Sequence, residues 1–226
     1  MLEDFIALIY PHLCFSCGKT LYRSEKSICT YCRYHLPRTN FHKERNNPIS
    51  RIFWGRVNVE AATSYYFYNK GSKVQRLIHQ LKYKGVKEIG IVIGKMFGSE
   101  LKESKDYEGV EYIIPVPLHP KKLRKRGYNQ SELIANGISE IMEKETKTDV
   151  LYRATANSTQ TKKSHFERWR NVESVFKVKN TEKLEGKNLL LVDDVVTTGS
   201  TLEASANALL TIPSSKVSIA TLAYTQ

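Results

Sequence analysis

Leu189-Leu190-Leu191-Val192-Asp193-Asp194-Val195-Val196-Thr197-Thr198-Gly199-Ser200-Thr201 is the stretch that decides how this chain folds. Its first four residues are an unbroken apolar run, which reads as a central strand of a parallel sheet covered on both faces. From Ser200 to Leu210, Leu202, Ala206, Leu209 and Leu210 recur at helical spacing. A strand that turns directly into a helix leaves unpaired backbone N–H groups and the positive end of the helix dipole at the turn, a natural seat for an anion. Gly199 lets the backbone approach that anion closely, and the hydroxyls of Thr197, Thr198, Ser200 and Thr201 add donors. The strand delivers Asp193 and Asp194 to its carboxyl end, where open α/β sheets bind their ligands. One end of such a site takes a phosphate. The acids face something polyhydroxylated, cationic, or both.

Working outward, strand and helix patterns alternate. Val57 to Tyr68 is β-branched and aromatic and predicts one or two strands. Ser72 to Lys82 carries Val74, Leu77, Ile78 and Leu81 at helical spacing, with Ser72 as N-cap. Glu88 to Glu103 predicts a second helix, in which Gly90, Gly94 and Gly98 recur every four residues and indicate a close neighbour. Further strands are expected at 110–116, 150–153, 175–178 and 216–224, with a helix from about 130 to 145. Residues 37–56, with Pro37, Asn40, Asn46, Asn47 and Pro48, read as a linker or long loop, and 117–129 as a basic loop. The alternation implies an α/β domain: a mostly parallel sheet with helices on both faces.

All four cysteines fall in the first 32 residues as two C-x-x-C pairs, Cys14/Cys17 and Cys29/Cys32, eleven residues apart. Two such turns packed together make a tetrahedral thiolate cage, the arrangement zinc prefers. An iron–sulfur cluster is the main competitor. Disulfides are disfavoured without a secretion signal, since the opening residues begin with acids rather than bases, and a C-x-x-C redox centre would not need the second pair. A segment this small depends on its metal for folding. No run approaches the roughly 20 apolar residues of a membrane span, and a cytoplasmic location is expected.

Lys and Arg number 35 against 23 acids, a net charge of +12, and the excess is clustered. Between 70 and 87 lie six bases and no acid, and five of the six residues 121–126 are basic. Such clusters suit a polyanionic partner, although each alone also fits a solvated surface. Bases near Trp54, Tyr65, Tyr66, Tyr83, Tyr128 and Trp169 suit single-stranded nucleic acid, with phosphates on cations and bases on rings.

The thirteen-residue stretch closely resembles the phosphoribosyl pyrophosphate signature of type I phosphoribosyltransferases. The resemblance implies that Asp193 and Asp194 contact ribose hydroxyls, directly or through Mg²⁺-bound water, and that Thr197, Thr198, Gly199, Ser200 and Thr201 hold the 5′-phosphate. The paired cysteines are followed by Leu81-Lys82-Tyr83-Lys84-Gly85, Ile114-Pro115-Val116-Pro117-Leu118-His119 and Arg126-Gly127-Tyr128-Asn129-Gln130, and then by Gln160-Thr161, Arg168 and Asn171-Val172. In this order the chain resembles the ComF family, associated with competence and DNA uptake in bacteria.

That resemblance implies a zinc-finger subdomain and linker over 1–56 and a phosphoribosyltransferase-like domain over 57–226. The expected partners are phosphoribosyl pyrophosphate with Mg²⁺, single-stranded DNA, and other DNA-uptake or recombination proteins. His119, Lys121, Arg126 and Lys82 are candidates for pyrophosphate, with a surface histidine and a solvated helix end as the alternatives for His119 and Lys82. In the long polar segment 154–172, Lys162, Lys163 and Arg168 are candidates for a loop that closes over the ligand. The resemblance, with the net charge of +12, implies a DNA-handling protein of natural transformation carrying this pocket, and leaves open a phosphoribosyltransferase acting on a small amine or base, or a non-catalytic sensor.

Overall fold

A computed structural model describes residues 11–22, 24–154 and 175–225. The apolar run lies within β6 (Asn188–Val196), the third of the five strands that the described residues contribute to the sheet. Strand residues alternate faces. Leu190 and Val192 therefore pack with one apolar cluster and Leu189 and Leu191 with the other, all 0–1% exposed. The remaining strands are β1 (Ala62–Tyr68), β2 (Tyr112–Pro115), β3 (Glu145–Thr146) and β7 (Lys216–Thr225). Their order is β1-β7-β6-β2-β3, and every pairing is parallel. The carboxyl ends of all five strands thus lie along one edge.

One face is covered by α3 (Lys73–Tyr83), α4 (Glu88–Lys102) and α6 (Gln130–Met142), and the other by α2 (Pro48–Phe53) and α7 (Ser200–Leu209). Ser72 caps α3 as its position predicts, accepting from the Gln75 N–H. The glycines of α4 have a direct explanation. A Cβ on Gly94 would lie 2.4 Å from the Ile134 carbonyl oxygen, and one on Gly137 2.4 Å from that of Ile91, so α4 and α6 meet backbone to backbone. Gly94→Ala gains about 1 kcal/mol of helix propensity. Backbone cannot move aside as a side chain can, so a net loss of about 2 kcal/mol is expected, read as a lower denaturation midpoint.

Residues 37–56 are not a plain linker. Pro37 to Thr39 runs along the outer edge of β1: Thr39 N–H donates to the Tyr65 carbonyl, and Phe67 N–H to that of Pro37. This covers an edge that would otherwise expose unpaired backbone groups. Asn47 then starts α2 with a capping box shared with Ser50, and its side-chain amide also donates to the Ala62 carbonyl. Ile49 and Phe53 are fully buried. Pro48 reads as a loop signal in sequence, yet at the first helical position its missing N–H costs nothing. The basic loop is likewise helical: α5 (Pro120–Arg126) starts on a proline, ends on Gly127 at φ +79°, and buries none of its residues. Without an apolar face it gives no periodic signal.

The expected helix 130–145 stops at Met142, because Glu145 and Thr146 form β3 beside β2. Outside the main sheet, β4 (Leu151–Arg153) and β5 (Phe176–Val178) form an antiparallel pair. The candidates Lys162, Lys163 and Arg168 lie between them, outside the described residues. Among the described residues no helix is long and apolar enough to cross a membrane.

The cysteine segment is docked rather than tethered. Cys14, Ile28, Cys29, Cys32 and Leu36 belong to the same buried cluster as Leu77 and Leu81 of α3. Gln80 donates to the Phe15 carbonyl at 2.6 Å, and the Ser27 hydroxyl to Glu88 at 3.0 Å.

Candidate ligand site and metal centre

The strand does not end at the acids. β6 continues through Asp193 and Asp194 to Val196, and Asp193 stands opposite Thr221 of β7. Both carboxylates are therefore anchored in the sheet and nearly buried, at 9% and 5% exposure. The Ser131 hydroxyl and the Asp194 N–H each donate to Asp193 Oδ1 at 2.8 Å. Burial, and next the charge of Asp194, push the Asp193 carboxyl up to about 7, against those hydrogen bonds and the Lys82 charge. The Lys82 ammonium, at the end of α3, sits 2.9 Å from both Asp194 oxygens, hydrogen-bonding Oδ1. Oδ2 is buried, faces that ammonium and, among the described residues, accepts no hydrogen bond.

Beyond Val196 the chain turns through exposed Thr197 and Thr198 to Gly199 at φ +77°, and exposed Ser200 and Thr201 open α7. Thr198 Oγ1 and Ser200 Oγ lie 3.1 Å apart. Gly199 is constrained twice, since a Cβ there would sit 2.6 Å from Ile52 Cγ2 as well as at a φ that side chains avoid. The floor of the turn is thus α2, from the segment read as linker. Arg56 clamps the turn from outside, donating to the Thr198 carbonyl at 2.8 Å and pairing with Glu203.

The other candidates are more dispersed in role. His119 caps α5, its Nδ1 accepting from the Lys121 N–H at 3.1 Å. Lys121 is exposed on that helix. Arg126 hydrogen-bonds Gln130 and lies 5.6 Å over the Tyr83 ring. Within the Arg126–Gln130 motif Tyr128 and Asn129 are positioning residues: Tyr128 donates its hydroxyl to the Leu81 carbonyl, and Asn129 donates to that of Val116 at 3.0 Å while capping α6. That fixes Ser131 against Asp193. Ser131 and Arg56 escape sequence reasoning. The signal for Ser131 is its place two residues after a capping asparagine; Arg56 gives none.

Of the aromatic residues proposed to meet nucleic acid, Tyr65 and Tyr66 are excluded, because they are 1% and 0% exposed within the core. Rings in a covered parallel strand are core by default. Trp54 and Tyr83 are exposed at 61% and 67%, Tyr128 is half-buried with Lys87 5.3 Å over its ring, and Trp169 is outside the described residues.

The four cysteine sulfurs all lie within 4.8 Å of one another, with Cys17 Sγ and Cys29 Sγ at 3.8 Å. A tetrahedron with metal–sulfur bonds of about 2.3 Å has edges of about that length, so the group can hold a metal ion. Backbone N–H groups already point at the sulfurs, Cys29 N–H at Cys14 and Cys32 N–H at Cys29. Burial raises the Cys14 thiol, but the N–H groups of Cys29, Cys17 and Ser16 outweigh it and bring it down to about 7. Cys32 is pushed up to about 12, chiefly by burial. A cation at the centre would favour the thiolate form at every position.

A five-stranded parallel sheet with helices on both faces, twin acids in its central strand and a glycine turn opening a helix define a type I phosphoribosyltransferase-like fold, here joined to a cysteine knuckle. Residues 129–226 match the family described as "Phosphoribosyl transferase domain". The chain belongs to the ComF family. It is 30% identical over 214 residues to the DNA utilization protein YhgH of Salmonella typhi, covering 90% of this chain and 92% of that one. It is 28% identical over 200 residues to the competence protein ComFC of Bacillus subtilis, covering 88% and 78%. It is 34% identical over 93 residues to the competence protein F of Haemophilus influenzae, 41% of each chain.

Proposed function

We propose that this is a cytoplasmic protein of DNA uptake or use that binds single-stranded DNA, and that its pocket takes phosphoribosyl pyrophosphate with Mg²⁺. The observation that carries the pocket is the buried Asp193–Asp194 pair beside the Gly199 turn. The donor set fits a hard divalent cation, which magnesium sites bind through one or two carboxylates, and Asp194 Oδ2 has no hydrogen bond to lose. Held by Asp193 and Asp194, magnesium would supply positive charge that offsets the charge of a polyphosphate. Asp193 and Asp194 orient the ribose, with Ser131 holding Asp193 in place. The Gly199–Thr201 backbone and hydroxyls grip the 5′-phosphate. Lys82 leaves Asp194 for the incoming polyphosphate, joined by Lys121 and Arg126. Zinc is the ion proposed for the four cysteines. The DNA role is supported by the names of the relatives and by the net charge of +12.

Calorimetry with phosphoribosyl pyrophosphate and Mg²⁺ tests the pocket. Binding is expected for the parent protein, with a loss of at least about a hundredfold in Asp193→Asn/Asp194→Asn, since every cation contact goes with the two charges. Absence of heat with folded parent protein would refute the reading. A second reading, transfer of the phosphoribosyl group to a small amine or base, is favoured by the presence of both acids. It requires Mg²⁺-dependent pyrophosphate release that the same double variant abolishes. Binding without release across a panel of acceptors would instead identify a sensor.

A further inference from the structure

The cysteine knuckle carries a surface that the pocket does not use. Helix α1 (Thr30–His35) buries only Cys32 and turns its other side chains outward. Tyr31 and Tyr34 are 58% and 79% exposed. Tyr31 is nonetheless held flat: it stacks on His35 with centroids 4.0 Å apart and planes at 12°, and the Lys73 ammonium lies 5.3 Å from its centroid. Two depressions flank the helix. One, of about 770 Å³, runs between α1 and α4 and is lined by Arg33, Tyr34, Arg38, Lys43 and Lys95 among others. The other, of about 530 Å³, includes Lys19, Tyr22 and Tyr31. Thr30 lines both, so the two meet across α1.

The acids in this region are mostly engaged. Glu25 accepts from the backbone N–H groups of Tyr22 and Thr30. Glu100 pairs with Arg38 at 2.7 Å. Glu103 is the remaining acid on the larger groove. Lys95 is paired with Glu140, whereas among the described residues no carboxylate lies within salt-bridge distance of Arg33, Lys43 or Lys19. Exposed rings held between unpaired cations are what a single strand needs, since its bases are free to stack while a duplex hides them. Helix α5 differs: its bases carry no ring of their own.

We infer that α1 and its two grooves form the track for single-stranded DNA, with phosphates on Arg33, Lys43 and Lys19 and bases on Tyr31 and Tyr34. The inference rests on the proposed single-strand binding and names where it occurs. The test is fluorescence anisotropy of a labelled oligothymidylate with the zinc-loaded full chain at low salt. Base–ring stacking is worth about 1–3 kcal/mol per base, so Tyr31→Ala/Tyr34→Ala is expected to weaken binding at least about tenfold. Tyr31→Phe/Tyr34→Phe should restore it, and zinc content should be unchanged in both variants. Lys121→Ala/Lys122→Ala/Lys125→Ala on α5 should lose less. If the parent binds and the double alanine variant binds equally well, the track is wrong while single-strand binding stands. If the parent binds no oligonucleotide at low salt, the single-strand reading itself fails. Equal affinity for duplex, with no effect of the ring deletions, would also overturn the track.

Discussion

Asp193→Asn is expected to melt higher than the parent at pH 8 and at about the same temperature near pH 4. The Asp193 carboxyl is raised from 3.8 to about 7 by burial and by Asp194, so folding favours its protonated form. Its contribution to stability is complete below about 4, where folded and unfolded states are both protonated. It is lost progressively as pH rises through the folded value of about 7, because the unfolded chain releases the proton first. Above that pH the fold carries two adjacent buried anions with one ammonium between them and solvent. A rise from 3.8 to about 7 corresponds to roughly 4 kcal/mol. Coupling to Asp194 and relaxation reduce this to on the order of 2 kcal/mol, or about 4–8 °C for a chain of this size. Asparagine keeps an acceptor for the Ser131 hydroxyl and the Asp194 N–H but has no charge to bury. Thermal melts of both proteins from pH 4 to 8 check it, and an asparagine variant no more stable at pH 8 would contradict it. The same substitution should weaken Mg²⁺-dependent ligand binding, so this position holds strain that the ligand relieves.

Cys32→Ser, or removal of the bound metal by a strong chelator, is expected to do more than unfold a small appendage. Cys32 is 0% exposed, and with Cys14, Cys29, Ile28 and Leu36 it packs into the cluster built on α3 and α4. The knuckle is too small to build a separate core, so the binding energy of a metal held by the four cysteines would be its folding energy. Its loss strips cover from Leu77 and Leu81, and frees Gln80 and Glu88 from Phe15 and Ser27. A fall of about 10 °C in the melting temperature of the whole chain is expected, together with binding of an apolar dye. An unchanged transition with metal-free protein would show that the knuckle contributes nothing to the sheet domain. The end of α3 bears Lys82, so chelation should also weaken ligand binding in the pocket, although no cysteine touches it.

Much of the fold is legible in local pattern. The Ser72 cap, the helical spacing of α3 and α4 and the apolar run of β6 each carry their own signal, and each stands where expected. The elements that local pattern hides are those whose cause is elsewhere in the chain. Helix α2 is six residues long and exists because Ile49 and Phe53 fill space beneath α7 and β6. Strand β3 is two residues and, among the described residues, pairs with β2 alone. Tyr65 and Tyr66 look like exposed aromatics beside basic clusters, and only packing into the core, with Phe97 of α4 stacked on Tyr65, removes them from solvent.

The candidate site divides in the same way. The sequence alone determined its chemistry, because acids, glycine turn and helix start follow one another between 193 and 201, and backbone geometry carries such a string directly into space. It equally determined the four-thiolate cage, since two C-x-x-C turns bring their own ligands. Tertiary structure alone decided what surrounds those groups: Lys82 on Asp194, Ser131 on Asp193, Ile52 and Phe53 under Gly199, and Arg56 on Thr198. These partners come from 62 to 147 positions away, and no local propensity encodes a distance of that kind. They meet because burying both faces of one sheet leaves each helix a single place to pack.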